Sequence, residues 1–307
     1  MNWRFKSAQF SLLSRLPGGT RLYNYTQEHI TRSTVATLSR VAQKIEVGLD
    51  FWNWLRQENR TDHLIGGRLL DLGAGWHPTI PLLWYAFGNR QQTLVDVFPN
   101  MDADKVRMTI NFFRAIAQNP QWAGHEFIES LPEARDPSTS DVAALLKPLA
   151  MEYQAPYGDL LQKRPGQYDL VACTQVLQHI PKPVQLAIFR ELHTCLKPGG
   201  LFHATVHFVG QFRSPDLRPG QYEHLRYAPE TWEKWINSSL MSFNRLKGPD
   251  YQEILTQAGF RLREFKLTAP TTADLTELKS TRIHSCFSRH SESDLAARGV
   301  FFVAEKP

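Results

Sequence analysis

The sequence predicts an α/β protein: a mainly parallel seven-stranded sheet with helices on both faces, preceded by an N-terminal helical extension. Three observations predict it. From about residue 65 onward, short apolar runs alternate with stretches of helix length, the pattern of right-handed β-α-β crossovers. Residues 1–64 instead carry apolar side chains at three- and four-residue spacing. Two late apolar runs, "RLREFKL" and "GVFFVAE", are placed to form an antiparallel pair that closes the sheet edge.

The elements follow in order. In "TQEHITRSTVATLSRVAQKIEVGLDFWNWLRQ", Val35, Leu38, Val41, Ile45, Leu49, Trp52 and Leu55 fall on one helical face, with Thr26, Gln27 and Glu28 as start chemistry. "LPGGT" before it is a turn. "GRLLDLG" is the first strand, residues 79–87 a helix, and "QTLVDVF" the second strand. Residues 101–118 form a helix with Val106, Ile110, Phe113 and Ile116 together, and 119–147 form a Pro-, Ser- and acid-rich insertion with one short helix. "MEYQA" and "YDLVACT" are the third and fourth strands. The helix "PVQLAIFRELHTCL" closes at "KPGG" before the fifth strand, "LFHATVHF". A polar and aromatic segment, 208–245, precedes the helix "PDYQEILTQAGF" and the two late strands. The domain division is therefore 1–64, a helical extension or lid, and 65–307, the α/β domain.

Bulk properties exclude several classes. A chain of 307 residues can bury a substantial core. No apolar run reaches the roughly 18 residues of a membrane span, and the N-terminus lacks the long apolar stretch and cleavage site of a signal peptide. Cys173, Cys195 and Cys286 have no metal-ligand spacing, so no metal is expected, and reduced thiols fit a cytoplasmic location. The net charge of +5 is mild and spread along the chain, which argues against nucleic acid as a partner.

The most informative stretch is "RLLDLGAGWHPTIPLLW". Gly73 and Gly75 stand where a strand turns into a helix; glycine there admits positive φ and close backbone approach to a ligand, and the helix start offers free N–H groups. Asp96 ends the second strand 25 residues after Asp71 (96 − 71), where a carboxylate can accept both hydroxyls of a ribose. To this point a dinucleotide site and an S-adenosylmethionine site look alike. A dinucleotide fingerprint needs glycine at position 78, which is Pro78. Asp71, two residues before the first glycine, suits an ammonium and a sulfonium better than a pyrophosphate.

With "LLDLGAG", "LVDVF", "GDL" at 158–160, "YDLVACTQVLQHI" and "LKPGG" in that order, the chain resembles class I S-adenosylmethionine-dependent methyltransferases over residues 65–307, in a bacterial-type variant whose first turn reads "GWHP". The resemblance implies a Rossmann-like fold, S-adenosyl-L-methionine as cofactor, and cofactor contacts at Asp71, Gly73, Ala74, Gly75, His77, Asp96, Val97, Gly158, Asp159, Leu160, Thr174 and Gln175. Asp71 is assigned to the methionine ammonium, Asp96 to the ribose, and Asp159 and Leu160 to the adenine. The family's third glycine is His77 here, which alters how the methionine tail is held.

Methyl transfer from a sulfonium is an in-line displacement in which positioning supplies up to roughly 7–11 kcal/mol. A base, worth roughly 10²–10⁴-fold, is needed only where the acceptor must lose a proton. His207, ending the fifth strand on the acceptor side, is the candidate base; His179 reads as a buttress and His203 as a buried strand residue. Arg213, Arg218, Arg226, Tyr222 and Tyr227 of the following segment are candidate acceptor contacts, and Tyr23, Tyr25, Phe51, Trp52 and Trp54 form a candidate lid or a plain packing layer. The expected partner is a small-molecule acceptor, an anionic one among the readings, methylated on oxygen. Competing readings are an RNA or protein methyltransferase, a non-catalytic S-adenosylmethionine-binding protein and a dinucleotide-dependent oxidoreductase. "TQVL" replaces the Asn/Asp-Pro-Pro-aromatic motif of base-amine methyltransferases, which weighs against the first.

Overall fold

The strand at the centre, β1 (Leu69–Leu72), is buried along its whole length, as a Leu-Leu-Asp-Leu run must be when both faces of a sheet are covered. It pairs in parallel with β2 (Gln92–Val95) on one side and β4 (Tyr168–Thr174) on the other. β3 (Met151–Gln154) extends the sheet beyond β2, and β5 (Leu196–His207) pairs in parallel with β4. β7 (Gly299–Glu305) then runs antiparallel to β5 and to the edge strand β6 (Arg261–Leu267), giving the order β3-β2-β1-β4-β5-β7-β6. The sheet is thus mixed, with β7 as its reversed strand. The chain moves outward from β1 in one direction and then from β4 in the other. The crevice of such a sheet lies at the carboxyl ends of β1 and β4, where the order reverses. The computed structural model describes Leu16, Gly18, Leu22, Tyr25, Thr26 and residues 35–118, 139–209, 220–238, 240 and 242–307.

The two faces of the sheet have separate cores. On one, Leu69, Leu170 and Leu201 meet α1 (Leu38–Gln57), α2 (Thr79–Ala86) and α3 (Ala103–Ala117). On the other, Leu70, Val171 and Phe202 meet α5 (Lys182–Cys195) and α7 (Gly248–Gln257). α4 (Val142–Leu146) leads through a 3₁₀ turn into β3. Three helices are additions to the expected order: α6 (Pro229–Trp235), and α8 (Thr272–Ser280) and α9 (Glu292–Ala296) between β6 and β7. Both α8 and α9 open with capping boxes, Thr271 with Asp274 and Ser291 with Asp294.

α1 begins at the cap Thr37, whose side chain accepts from Arg40 N–H, so the true start signal lies downstream of the Thr26 expected from sequence. The Thr26 hydroxyl instead donates to Leu22 O. The β5 strand also begins earlier than expected. "LKPGG" is part of it, because Tyr168 pairs with Leu196 while Gly199 N–H and Lys306 N–H exchange bonds with Lys306 O and Gly200 O. No helix among the described residues is long and apolar enough to cross a membrane.

α1 is bound to the sheet by aromatic stacking. Phe51 lies 4.0 Å, centroid to centroid and nearly parallel, from His203 on β5, and meets Trp84 of α2 edge-on at 5.9 Å. Trp52 stacks on Phe87 at 4.2 Å, and Phe51, Trp52 and Trp54 are all buried. These rings therefore form a packing layer, not a mobile aromatic cover; Tyr25 is exposed and Tyr23 lies outside the described residues. Phe51→Ala is expected to cost about 3–5 kcal/mol, read as a lowered melting temperature, while the conservative Phe51→Leu should retain most of the stability.

Candidate functional site

The β1 strand ends in a turn whose glycines have φ of +85° at Gly73 and +67° at Gly75, a region that side-chain-bearing residues seldom adopt. A Cβ on Gly73 would also stand 2.4 Å from a Val176 methyl, so the turn and the segment after β4 are packed backbone against side chain. Gly73 and Ala74 N–H groups donate to Val95 O at 2.8 and 3.1 Å. Gly75 N–H donates to Asp96 Oδ2 at 2.8 Å, and Phe98 N–H to Asp96 Oδ1 at 3.1 Å. One carboxylate thus ties the glycine turn to the end of β2. It keeps lone pairs for further donors, since two oxygens offer about four acceptor sites.

Asp71 is only 4% exposed. Burial pushes its carboxyl up to about 7; Lys44 of α1 opposes the shift and Asp96 adds to it. The Lys44 side chain is exposed on α1. Burial lowers its pKa and Asp71 raises it. Lys44 escaped the sequence reading because nothing local marks it: it is one lysine on an amphipathic helix, and only tertiary packing sets it against β1.

The other residues expected at the cofactor are distributed as follows. Val97 is 56% exposed beside the half-buried Asp96, and Phe98, 41% exposed, joins it. His77 turns its Nδ1 to Thr109 Oγ1 of α3 at 3.2 Å, and the helix start behind it, capped by Pro78, has no side-chain cap. Gly158 has φ of +56°. Asp159 is exposed and held by Lys163 at 2.9 Å, and Leu160 is a core residue, 5% exposed. Of the two residues expected at the adenine, the Asp159 side chain is thus engaged in solvent and Leu160 is packed in the core. The groups that do stand at Asp96 are Tyr157, whose N–H donates to Asp96 O at 3.2 Å, and Tyr153, whose hydroxyl donates to Phe98 O at 3.4 Å. Burial raises the pKa of both phenols, and the Asp96 carboxylate adds to the shift. Aromatic residues flanking the third strand were the missed signal.

At the ends of β4 and β5, Thr174 pairs with Thr205, and Gln175, half-buried, takes a left-handed φ of +59° with its N–H donating to Thr205 O at 2.8 Å. A non-glycine residue held there marks a backbone fixed by its surroundings. His203, Thr205 and His207 alternate onto the α1 face of β5. His203 is buried, donates through Nδ1 to Phe302 O, and has its pKa lowered by burial to about 3. The Thr205 hydroxyl is buried without a partner among the described residues. His207 is exposed at the strand end; the protein around it lowers its pKa, and Arg298 and His179 lower it further. His179 donates through Nδ1 to Ser242 O at 3.0 Å.

The expected acceptor contacts do not assemble. Arg213 and Arg218 lie outside the described residues. Tyr222 is fully buried against Leu225, Leu278, Phe287 and Leu295, and its hydroxyl donates to Ala296 O at 2.6 Å, so it is a core residue and not an acceptor contact. Arg226 pairs with Glu223 at the surface, and the Tyr227 hydroxyl donates to the same carboxylate at 2.9 Å. No group of three or more His, Cys, Asp or Glu able to hold a metal occurs among the described residues.

Residues 28–264 match the profile of the family described as "Methyltransferase domain". The chain belongs to that family. A ubiquinone biosynthesis O-methyltransferase of Xanthomonas campestris pv. campestris (strain B100) is 46% identical over 106 residues, 31% of this chain and 44% of that protein. One of Acinetobacter baylyi is 40% identical over 58 residues, 18% of this chain and 24% of that protein. The chain thus spans less than half the length of these relatives. Among solved structures, an S-adenosylmethionine-dependent methyltransferase from Mesorhizobium loti is 16% identical, covering 83% of this chain and 96% of that one, at TM-score 0.43.

The buried acid gives this methyltransferase a stability signature. Asp71 moves from 3.8 to about 7 on folding, so between those values the folded chain holds a proton that the unfolded chain has released. Stability therefore falls as pH rises through that window and levels off above it. Asp71→Asn should melt higher than wild type at pH 8, with the difference shrinking toward pH 4, and should bind S-adenosylmethionine more weakly. Melts at both ends of the range with titration calorimetry check this; equal differences at the two pH values would exclude the assignment.

Proposed function

We propose that the chain transfers the methyl group of S-adenosyl-L-methionine to an oxygen of a small-molecule acceptor, in natural-product, lipid or sugar metabolism in the cytoplasm. The observation that carries this is His207, exposed at the carboxyl end of β5 next to the paired ends of β4 and β5, where the protein around it lowers its pKa. A histidine neutral at physiological pH can take a proton from a hydroxyl. The partial likeness to ubiquinone biosynthesis O-methyltransferases points the same way.

The residues at the switch point fit the cofactor. Asp96 has lone pairs left for ribose hydroxyls beyond its two backbone contacts. Asp71 offers a carboxylate to the methionine ammonium, and an added cation would draw its pKa back down. Gly73, Ala74 and Gly75 leave room for the backbone to run alongside; Val97 and Phe98 offer exposed apolar surface to the base. When bound, the cofactor supplies a methyl group already activated on sulfur. The protein's part is to hold Thr174, Gln175 and His207 at the acceptor, to exclude water and to accept a proton at a ring nitrogen of His207. Residues 1–64 are assigned to a helical extension that includes α1, and 65–307 to the methyltransferase domain.

Titration calorimetry is the first test. Wild type should bind S-adenosylmethionine and S-adenosylhomocysteine in the micromolar range and leave NAD unbound. Asp96→Ala should lose that binding, and Asp96→Asn, which keeps an oxygen for Gly75 N–H, should retain part of it. No binding to wild type would move the chain to a methyltransferase fold without the activity. Once an acceptor is in hand, His207→Gln should lower kcat by roughly 10²–10⁴-fold with little change in cofactor affinity. The wild-type kcat/KM should fall on the acid side with a midpoint below 6.5. A pH-independent rate would remove His207 from the base role.

A further inference from the structure

Residues 242–247 cross directly over the ends of β4 and β5. The Asn244 side-chain amide donates to Leu177 O at 2.7 Å and Ile180 O at 2.9 Å, and its N–H to Gln178 O at 2.9 Å. Ser242 O holds His179. At the other end, Lys247 Nζ donates to Phe208 O, one residue beyond His207, at a long 3.4 Å. The same short segment therefore holds the chain just beyond the ends of both β4 and β5.

This segment buries two cations. Lys247 is 0% exposed and Arg245 7%. Lys247 Nζ also lies 3.4 Å from His224 Nε2 and 5.4 Å from the Phe208 ring centre. His224 Nδ1 donates to Gln221 O at 3.0 Å, which leaves Nε2 as the lone-pair side toward the lysine. Arg245 donates to His224 O and Tyr227 O at 3.1 and 2.7 Å, between the rings of Trp232 at 4.8 Å and Phe287 at 5.2 Å. Neither forms an ion pair among the described residues. The nearby Asp250 is committed to Arg289 and His290, and to Lys247 only through its backbone N–H. Buried charges in proteins are as a rule paired, and a guanidinium does not relieve burial by releasing its proton. Among the described residues their direct partners are carbonyls, an imidazole and ring faces, and the carboxylates of Glu233 and Glu230 act on Arg245 only from beyond ion-pair distance.

We propose that Arg245 and Lys247, with His224, receive an oxyanion group of the acceptor, a carboxylate or a phosphate. This rests on the methyltransferase reading above and narrows its substrate class. It also moves anion recognition from Arg213, Arg218 and Arg226, the contacts expected from sequence, to a buried pair behind the strand ends. Lys247 is a positioning and binding residue in this scheme; proton acceptance stays with His207.

The test uses the full chain at pH 7 and fixed ionic strength, with inorganic phosphate and acetate as probes against chloride. Either probe should raise the wild-type melting temperature by about 2–4 °C at saturation, and Lys247→Met and Arg245→Gln should lose that rise. Phosphate and acetate acting differently would tell which oxyanion the site prefers. Equal rises in wild type and both variants, the general effect of an excluded salt, would overturn the proposal, as would no rise in wild type. Should Lys247→Met fail to fold, Arg245→Gln carries the comparison. S-adenosylmethionine titration on the same samples separates the two ideas. Cofactor binding without an ion effect leaves the methyltransferase reading intact and removes the anion site. Loss of cofactor binding in wild type removes the reading itself.

Discussion

The candidate site depends on one constraint: β1 must be buried on both faces and yet carry a carboxylate. A strand in the middle of a parallel sheet has no solvent face, so its side chains must be apolar or find compensation. Leu69, Leu70 and Leu72 satisfy that rule and Asp71 violates it. The violation is tolerated at the carboxyl end of the strand, next to the crevice made by the reversal of strand order. The glycine turn that follows is held by Val95 O and the Asp96 carboxylate, so the ends of β1 and β2 move as one unit.

The strand register carries the constraint across the sheet. Asp71 is level with Ala172 on β4, and Ala172 with His203 on β5. All three face α1, and α1 answers each according to its chemistry: Lys44 acts on the acid, and Phe51 stacks on the imidazole two turns later. A helix that reads as an accessory by sequence is therefore part of the electrostatic environment of the crevice. Its aromatic residues are committed to packing, which fixes where Lys44 can reach.

Much of the fold was legible in the sequence. The fourth and seventh strands begin and end where their apolar runs do, because largely buried strands have sharp compositional edges, and the edge strand β6 matches its alternating run. The glycine turn and Asp96 were legible because their spacing is local. What was not legible depends on contacts between distant segments. Tyr222 looks like a surface aromatic in a polar stretch, but α8 and α9 close over it. Lys44, Arg245 and Lys247 sit among ordinary helix and loop residues; burial distinguishes Arg245 and Lys247, and the charge of Asp71 distinguishes Lys44. Asp159 and Leu160 were assigned from motif order, whereas the backbone after β3 turns one side chain out to Lys163 and the other into the core.

The residues that break the burial rule share a geometry. A buried acid stands at the end of β1, and buried cations stand beyond the end of β5, with β4 between them. Each costs the empty protein stability, since burial drives both Asp71 and Lys247 toward their neutral forms, to about 7 in each case. Such costs are retained where a ligand reverses them. A cationic cofactor tail at one end and an anionic acceptor group at the other would each restore the charged form of the residue it meets. The protein would then reach its best-satisfied electrostatic state only with both partners bound, aligned across the strand ends where Thr174 and His207 stand.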